Sequence, residues 1–226
     1  MPEPRPASPA DPEQGKVPDA VRVQILATEH WSLLAARANA WNESFSRASW
    51  FLTAVSATVV ALALAADATD FSADFHVFAL LLLPVLVLVG AATFARLMDL
   101  NREDVDLVVG MNRLRHGYLD LAPELEPYFS TGHHDDRAGI MRTYGTGRMV
   151  RIPAAQYLSS TALLVGAVDA VLVGALAGIA CAALGAGLAV DIIVGAVAAV
   201  GTLVALFLVV VRQAKRAWNA SPRFPS

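Results

Sequence analysis

The sequence is poor in cysteine and, over long stretches, in charge. Cys181 is the only cysteine, which excludes an intramolecular disulfide and a zinc site built on cysteine ligands. Only 16% of the residues are charged, against about 25% in an average soluble domain. Between Ile152 and Val211 there is no lysine or arginine, and the only acids are Asp169 and Asp191. Such a long, nearly uncharged stretch is typical of a membrane protein.

Hydrophobic residues make up 56% of the chain and are concentrated in runs long enough to cross a bilayer. Three uncharged runs cover Ala48–Ala66, Val77–Ala95 and Ile192–Val211, each near the roughly 20 residues that a spanning helix needs. A further span fits between Ile152 and the glycine-rich turn at 185–187. The sequence therefore predicts an all-α integral membrane protein with four transmembrane helices in two hairpins.

The basic residues predict the orientation. All 17 lysines and arginines precede the first span, lie between spans two and three, or follow the fourth. Because short loops rich in lysine and arginine stay in the cytoplasm, both termini and the central segment are predicted to be cytoplasmic, in a multi-pass protein of the cell membrane. A five-span alternative, broken at Asp169, would put the basic run at 212–216 outside.

The runs also predict how the chain is organised. The predicted parts are a disordered tail at 1–20, an amphipathic helix at 21–47 continuous with the first span at 48–66, an outer loop at 67–76, the second span at 77–95, a continuous helix at 96–122, a loop with a short helix at 123–156, the third span at 157–184, an outer turn at 185–191, the fourth span at 192–211 and a basic tail at 212–226.

Two apolar repeats flank the first pair of spans and predict a cytoplasmic helical stalk. The first has 4-3 spacing and consists of Ala27, Trp31, Leu34, Ala38, Trp41, Phe45, Ala48, Leu52 and Val55. The second consists of Leu97, Leu100, Leu107, Met111, Leu114, Tyr118 and Leu121, with Asp104 at one of its positions. This spacing is that of packed helices. The two helices are expected to pack antiparallel within one chain; the alternative is an oligomer contact.

The segment from Val21 to Leu121 resembles in layout the SLATT family of small bacterial membrane proteins. The resemblance lies in the amphipathic helix EHWSLLAARANAWNESF entering span one, a short outer loop, and RLMDLNREDVDLVVGMNRLRHGYLDL leaving span two. It implies a pore-forming effector of a nucleotide-activated conflict system, although that family has two spans and this chain has a second predicted pair. The whole chain also resembles uncharacterised bacterial four-span membrane proteins. This resemblance implies a topology but indicates no particular activity.

Asp169 is predicted to lie near mid-membrane. At about 1.5 Å per helical residue it is roughly 27 Å from Arg151 and roughly 24 Å from Gly185, so neither end of the span brings it to an interface. Two interpretations remain open: a proton or cation site, or a protonated acid that hydrogen-bonds to another helix. The hydroxyls available to it in other spans belong to Thr53, Ser56, Thr58, Thr93 and Thr202.

Small residues recur at every fourth position of the third span and predict close helix packing. The predicted packing residues are Ala162, Gly166, Ala170, Gly174, Gly178 and Ala182, with Gly195 and Gly201 on the fourth span. Whether they join the two spans or two subunits is left open by the pattern.

Three polar features complete the candidates. A basic patch for lipid headgroups is predicted from Arg142, Arg148, Arg151, Arg212, Lys215 and Arg216. The segment STGHHDDR, at 130–137, holds metal-competent side chains, but adjacent loop residues diverge, so a polar loop with a helix N-cap at Asp135 or Asp136 is favoured over a metal site. A charged pocket between the stalk helices is the third candidate, formed from Glu29, His30, Arg37, Glu43, Arg113, Arg115 and His116.

These features favour a non-enzymatic membrane assembly, a scaffold, sensor or effector, because no catalytic constellation occurs in the sequence. The alternative is a small channel or transporter of ions or protons built around Asp169. The expected partners are the lipid bilayer, further copies of the chain, and a cytoplasmic protein or small molecule at the stalk. No cofactor, metal or nucleic acid is predicted.

Overall fold

The computed structural model describes residues 17–145, 160–217 and 222–226. They form α1 (Asp19–Thr69), α2 (Ala73–Leu121), a 3₁₀ helix (Pro123–Tyr128), α3 (Arg137–Gly145), α4 (Thr161–Ala183) and α5 (Leu188–Ala217). Four of them, α1, α2, α4 and α5, contain stretches long and apolar enough to cross a membrane. The prediction of an all-helical chain with four such helices is therefore confirmed.

Short turns connect the long helices where the sequence favours them. The α4–α5 turn contains Gly185 at φ +75° and Gly187 at φ +93°, a region that glycine enters without a Cβ clash. The α1–α2 turn contains Asp70 and Phe71, both also at positive φ. Such conformations are unusual for a bulky residue, so the tight turn places Phe71 in a strained backbone conformation.

One apolar core joins α1, α2 and α4. Phe51 on α1, Leu83 and Leu97 on α2, and Val165 on α4 are each at most 1% exposed. By contrast α5 packs mainly on α4 and leaves much of its apolar surface exposed, including Ile192, Ile193, Val197 and Val200. This is the kind of surface that lipid tails cover in a membrane protein.

The predicted packing face of α1 is wrong in its first half. Trp31, Leu34, Trp41 and Phe45 are 71%, 42%, 51% and 61% exposed. The face turned towards α2 instead carries Leu33, Arg37, Ala40 and Ser44, which are buried or half-buried. The physical reason is that small Ala40 allows close approach and that Arg37 finds its ion-pair partner, Asp104, on α2. We call the exposed set Trp31, Leu34, Ala38, Trp41 and Phe45 the aromatic stripe.

The repeat on α2 faces the interior. Leu97, Leu100 and Met111 are at most 3% exposed, and Met111 forms a second small core with Val108 and with Ile140 of α3. The chain thus buries the α2 repeat against α1 and α3 while leaving the aromatic stripe without a covering element among the described residues.

Candidate functional site

Asp169 lies at the contact of three helices. It is 4% exposed on α4, and it faces Gly90 of α2 and Phe51 of α1. A Cβ on Gly90 would lie 2.7 Å from Cγ of Asp169 and 2.9 Å from Cε2 of Phe51. The carboxyl group therefore occupies the space that the missing side chain of Gly90 leaves.

The carboxyl group of Asp169 is buried without a partner for one of its oxygens. Oδ1 accepts no hydrogen bond from any residue that the structure describes. The hydroxyls of Thr53, Ser56 and Thr93 donate instead to carbonyls four residues earlier in their own helices. Burying a polar group without a hydrogen bond in an apolar interior costs free energy, so the Asp169 carboxyl group destabilises an otherwise apolar core.

Small residues bring α4 and α5 together. A Cβ on Gly174 would lie 2.7 Å from the carbonyl oxygen of Gly195, and one on Gly178 would lie 3.1 Å from that of Asp191. Gly166, nearer the other end of α4, faces Phe94 of α2 and Leu206 of α5. The structure thus places much of this small-residue surface on α5 of the same chain.

Gly201, one of the predicted packing residues, makes no helix contact within the described part of this chain. It is exposed, and nothing lies within 4 Å of the point where its Cβ would be. The helix turns this residue away from α4 because the contact between α4 and α5 runs through Gly195 and Ala199. Within this chain Gly201 packs against no described residue.

Asp104 joins α1, α2 and α3. Its carboxylate accepts hydrogen bonds from Nε of Arg37 at 2.7 Å, Nε1 of Trp41 at 3.0 Å and the hydroxyl of Tyr144 at 2.6 Å. The Arg37 guanidinium also lies 5.0 Å from the ring centroid of Trp41 and 5.6 Å from that of Tyr144. Three donors thereby satisfy one half-buried acid in an apolar repeat, and the guanidinium that pairs with it makes two cation–π contacts of its own.

A second ion-pair network lies closer to the apolar segments. Arg96 donates to both oxygens of Glu43, at 2.9 and 3.0 Å, and to Glu103 at 3.0 Å. Arg47 adds a bond to Glu43 at 2.7 Å. The hydrogen bonds from Arg96 and then Arg47 lower the pKa of Glu43 to about 2, so this carboxylate stays charged at physiological pH.

Hydrogen bonds from α2 hold the HHDD segment, His133–Asp136, against that helix. Buried Asn112 donates to the carbonyl of His134 at 2.7 Å, and its Oδ1 accepts from Thr143 and Arg115, both at 2.8 Å. Asp136 accepts from the backbone N–H of Gly139 at 2.8 Å, which confirms the predicted N-cap for α3. The carboxylate of Asp135 is held by Nε of Arg113 at 2.7 Å.

The same two acids hold the end of the chain, a contact that sequence reasoning missed. Asp135 accepts the backbone N–H groups of Arg223 and Phe224, and Asp136 accepts the N–H and hydroxyl of Ser226. The sequence offers only a weak signal for this contact. Carboxylates in a loop need hydrogen-bond donors, and a tail interrupted by prolines has backbone N–H groups that no helix or strand uses.

The remaining predicted site residues fall into separate places or outside the described part. Five of the stalk-pocket residues are divided among the Asp104 network (Arg37), the Glu43 network (Glu43) and the surroundings of the HHDD segment (Arg113, Arg115 and His116). His30 stacks on Tyr118 instead, and Glu29 is exposed. Arg142 and Arg212 are exposed, whereas Arg148 and Arg151, and the side chains of Lys215 and Arg216, lie outside the described residues. In the described ranges no group of three or more His, Cys, Asp or Glu is placed to hold a metal ion.

Comparisons with family models, with curated proteins and with solved structures find no match for this chain.

Proposed function

We propose that this chain is a non-enzymatic, multi-pass membrane protein that works as an oligomer, as a scaffold, sensor or effector. In this proposal both termini and the polar halves of α1 and α2 lie in the cytoplasm, and these halves form a helical stalk. The clustering of every lysine and arginine on one side of the four apolar segments supports that orientation.

The observation that carries the oligomer is the aromatic stripe. Exposed tryptophan and phenylalanine side chains at 4-3 spacing on a helix outside the apolar segments have the pattern of a helix-packing seam. The other face of α1 already packs on α2 through Arg37 and Ala40. Apart from Nε1 of Trp41, which donates to Asp104, the exposed part of the stripe is therefore free to take a second copy of itself.

The size of the stripe suits that partner. An aromatic side chain buries about 150–250 Å², so two copies of the stripe would remove roughly 1,000 Å² from water, near the lower limit for a specific interface. The matching seam of a second chain presents the same apolar groups at the same spacing, as a two-fold contact requires.

The native mass of the purified protein in detergent or nanodiscs tests this function. We expect an oligomer for the wild type and a smaller species for the double variant Trp31→Ser, Phe45→Ser, because it removes apolar area from the stripe alone. Ile25→Ser, on an exposed position of α1 outside the stripe, is the matched control and should keep the wild-type mass. A wild type that contains one chain would refute the proposal.

A second candidate function is the movement of protons or cations through Asp169. The observation in its favour is the buried carboxyl group whose Oδ1 has no hydrogen-bond partner in the described part of the chain. Acids at this depth in a bundle are typical of ion pathways and proton relays.

Flux into liposomes distinguishes the two functions. Asp169→Asn keeps the shape of the side chain and removes its titratable proton. If the wild type moves protons or cations and this variant stays assembled without doing so, transport replaces the scaffold as the function. Absence of flux in the wild type under proton, sodium and potassium gradients refutes transport.

A further inference from the structure

The last five residues of the chain, Pro222–Ser226, lie against the HHDD segment and the end of α2. The N–H of Phe224 donates to Oδ1 of Asp135 at 2.7 Å, and the N–H of Arg223 reaches its two oxygens at 3.0 and 2.9 Å. Ser226 donates to Oδ2 of Asp136 twice, through its N–H at 2.8 Å and its hydroxyl at 2.6 Å. The Phe224 ring stacks on His116, with centroids 4.4 Å apart.

We propose that the HHDD segment and His116 form a peptide-binding site, and that Pro222–Ser226 is its ligand, bound in cis as a releasable latch. The site would recognise a short segment by its backbone N–H groups and by one aromatic ring.

The site is held in shape by residues other than its ligand. Asn112 is fully buried and fixes the loop through the carbonyl of His134, while Thr143 donates to Asn112 and accepts from the N–H of Gly132 at 3.1 Å. Arg113 donates to Oδ2 of Asp135 at 2.7 Å and holds this side chain independently of the tail. A loop supported in this way by α2 and α3 is organised before the tail binds, which lowers the cost of binding.

The tail is matched to the two carboxylates by its prolines. Pro222 and Pro225 have no N–H, so the segment has three backbone donors, at Arg223, Phe224 and Ser226, and all three donate to Asp135 or Asp136. Consecutive N–H groups around one carboxylate form an anion-binding concavity. The carbonyl of Phe224 in turn accepts from the N–H of Asp135 at 3.3 Å.

The two acids are suited to this role because they remain charged. Burial raises the pKa of Asp136, but hydrogen bonds from Ser226 and the Gly139 N–H outweigh it and lower the pKa to about 2. Burial likewise raises the pKa of Asp135, and the bonds from Arg223, Arg113 and Phe224 reverse the shift, so that its pKa lies below the ordinary range. A charged acceptor makes these bonds stronger than neutral ones.

The latch covers Asp135, Asp136 and His116, so its release would expose these three side chains to another segment. Because the tail is tethered, it competes with any free peptide at an effective concentration on the order of millimolar. The wild-type site is thus filled by its own tail until a competing segment or a change in the site displaces it.

Binding of a synthetic Pro-Arg-Phe-Pro-Ser peptide, labelled at its N-terminus, tests the proposal by fluorescence anisotropy on the full-length protein. Phe224→Ala vacates the site and should bind the peptide about tenfold more tightly than the wild type, whose tail blocks it. Deletion of residues 222–226 removes every contact of the tail and serves as a second vacated protein in case the first does not fold. Adding Asp135→Asn to either should abolish binding.

Peptide variants provide the matched controls. Arginine to alanine in the peptide should leave the affinity unchanged, because Arg223 contributes its backbone N–H, whereas phenylalanine to alanine should remove binding. Equal binding by the wild type and both vacated variants, or no saturable binding by any of them, would overturn the proposal. Binding that survives Asp135→Asn would also overturn it.

Discussion

The carboxyl group of Asp169 on α4 lies against Gly90 on α2, in the space that a Cβ at residue 90 would fill. The single acid within the third apolar segment thus faces the single glycine of the second. The missing side chain of Gly90 leaves room for the Asp169 carboxyl group between closely packed helices. The ring of Phe51 bounds the same space.

Gly90→Ala should destabilise the protein by about 1–3 kcal/mol, the usual cost of overpacking a core. The new methyl group would overlap the Asp169 carboxyl group and press on Phe51. Thermal unfolding in detergent measures the effect. Gly201→Ala, at a helix site with nothing within 4 Å, is the control and should not destabilise the protein, because alanine is favoured over glycine in a helix interior by about 0.5–1 kcal/mol.

The same pair allows a double-mutant cycle. In an Asp169→Ala background Gly90→Ala should cost less than in the wild type, because the carboxyl group that it meets is gone. Some loss of stability should remain, because the new methyl group still meets the ring of Phe51. An equal cost in both backgrounds would show that residues 90 and 169 are not coupled.

Gly174→Leu should separate α4 from α5. A Cβ at this position already falls 2.7 Å from the Gly195 carbonyl oxygen and 2.8 Å from Cβ of Ala199, and backbone cannot move aside as a flexible side chain can. We expect a loss of at least about 2 kcal/mol and faster proteolysis of the α4–α5 turn. Gly201→Leu should leave both measurements near the wild type; an equal loss in the two variants would contradict the packing.

The sequence predicts the four apolar helices because long uncharged runs permit little else in a membrane protein. It also predicts close packing through small residues such as Gly174 and Gly195, since that pattern is strictly local, but it leaves open whether their partner lies in the same chain or in a second copy. It fails for Trp31 and Trp41, because a 4-3 repeat marks an apolar face without saying what covers it. Which face of α1 packs on α2 depends on the pairing of Arg37 with Asp104, which lies 67 residues away in the sequence.

In the candidate sites, too, the local features could be predicted from the sequence and the contacts between distant segments could not. The depth of Asp169 follows from counting residues along one helix, but its neighbour Gly90 depends on how three helices pack. The N-cap at Asp136 is local and was predictable, whereas its bonds to Ser226 span 90 residues. Contacts between distant segments are set by tertiary packing, for which a single sequence carries no periodic signal.

Asp104→Asn should loosen the junction of α1, α2 and α3. The change removes the charge that pairs with Arg37, whose side chain is 20% exposed against 14% for Asp104, and we expect a loss of about 1–3 kcal/mol. Asp99→Asn is the control, because its pair with Arg102 is exposed and worth at most about 1 kcal/mol. Similar small effects of both variants on thermal unfolding would contradict a structural role for the Asp104 network.

The HHDD segment should lose stability on acidification in two separate pH ranges. Burial, followed by repulsion from His134, lowers the pKa of His133, so below about 6.5, the ordinary histidine value, the unfolded state binds more protons than the folded state. Stability contributed by neutral His133 is therefore present at higher pH and falls as the pH drops below about 6.5. Asp136 acts in the lower range, because its pKa falls from 3.8 to about 2; its contribution is present above about pH 4 and is lost as the pH approaches 2.

Two variants assign these ranges. Hydrogen exchange of the backbone N–H groups of Phe224 and Ser226, followed from pH 7 to pH 3 and corrected for the intrinsic exchange rate, measures opening of the tail contact. In His133→Gln the loss of protection that begins below about pH 6.5 should disappear while the loss below pH 4 remains, since glutamine does not titrate. Asp136→Asn should weaken protection of Ser226 already at pH 7 and flatten its dependence below pH 4. If His133→Gln leaves the upper transition in place, protonation of another group opens the segment and the assignment to His133 is wrong.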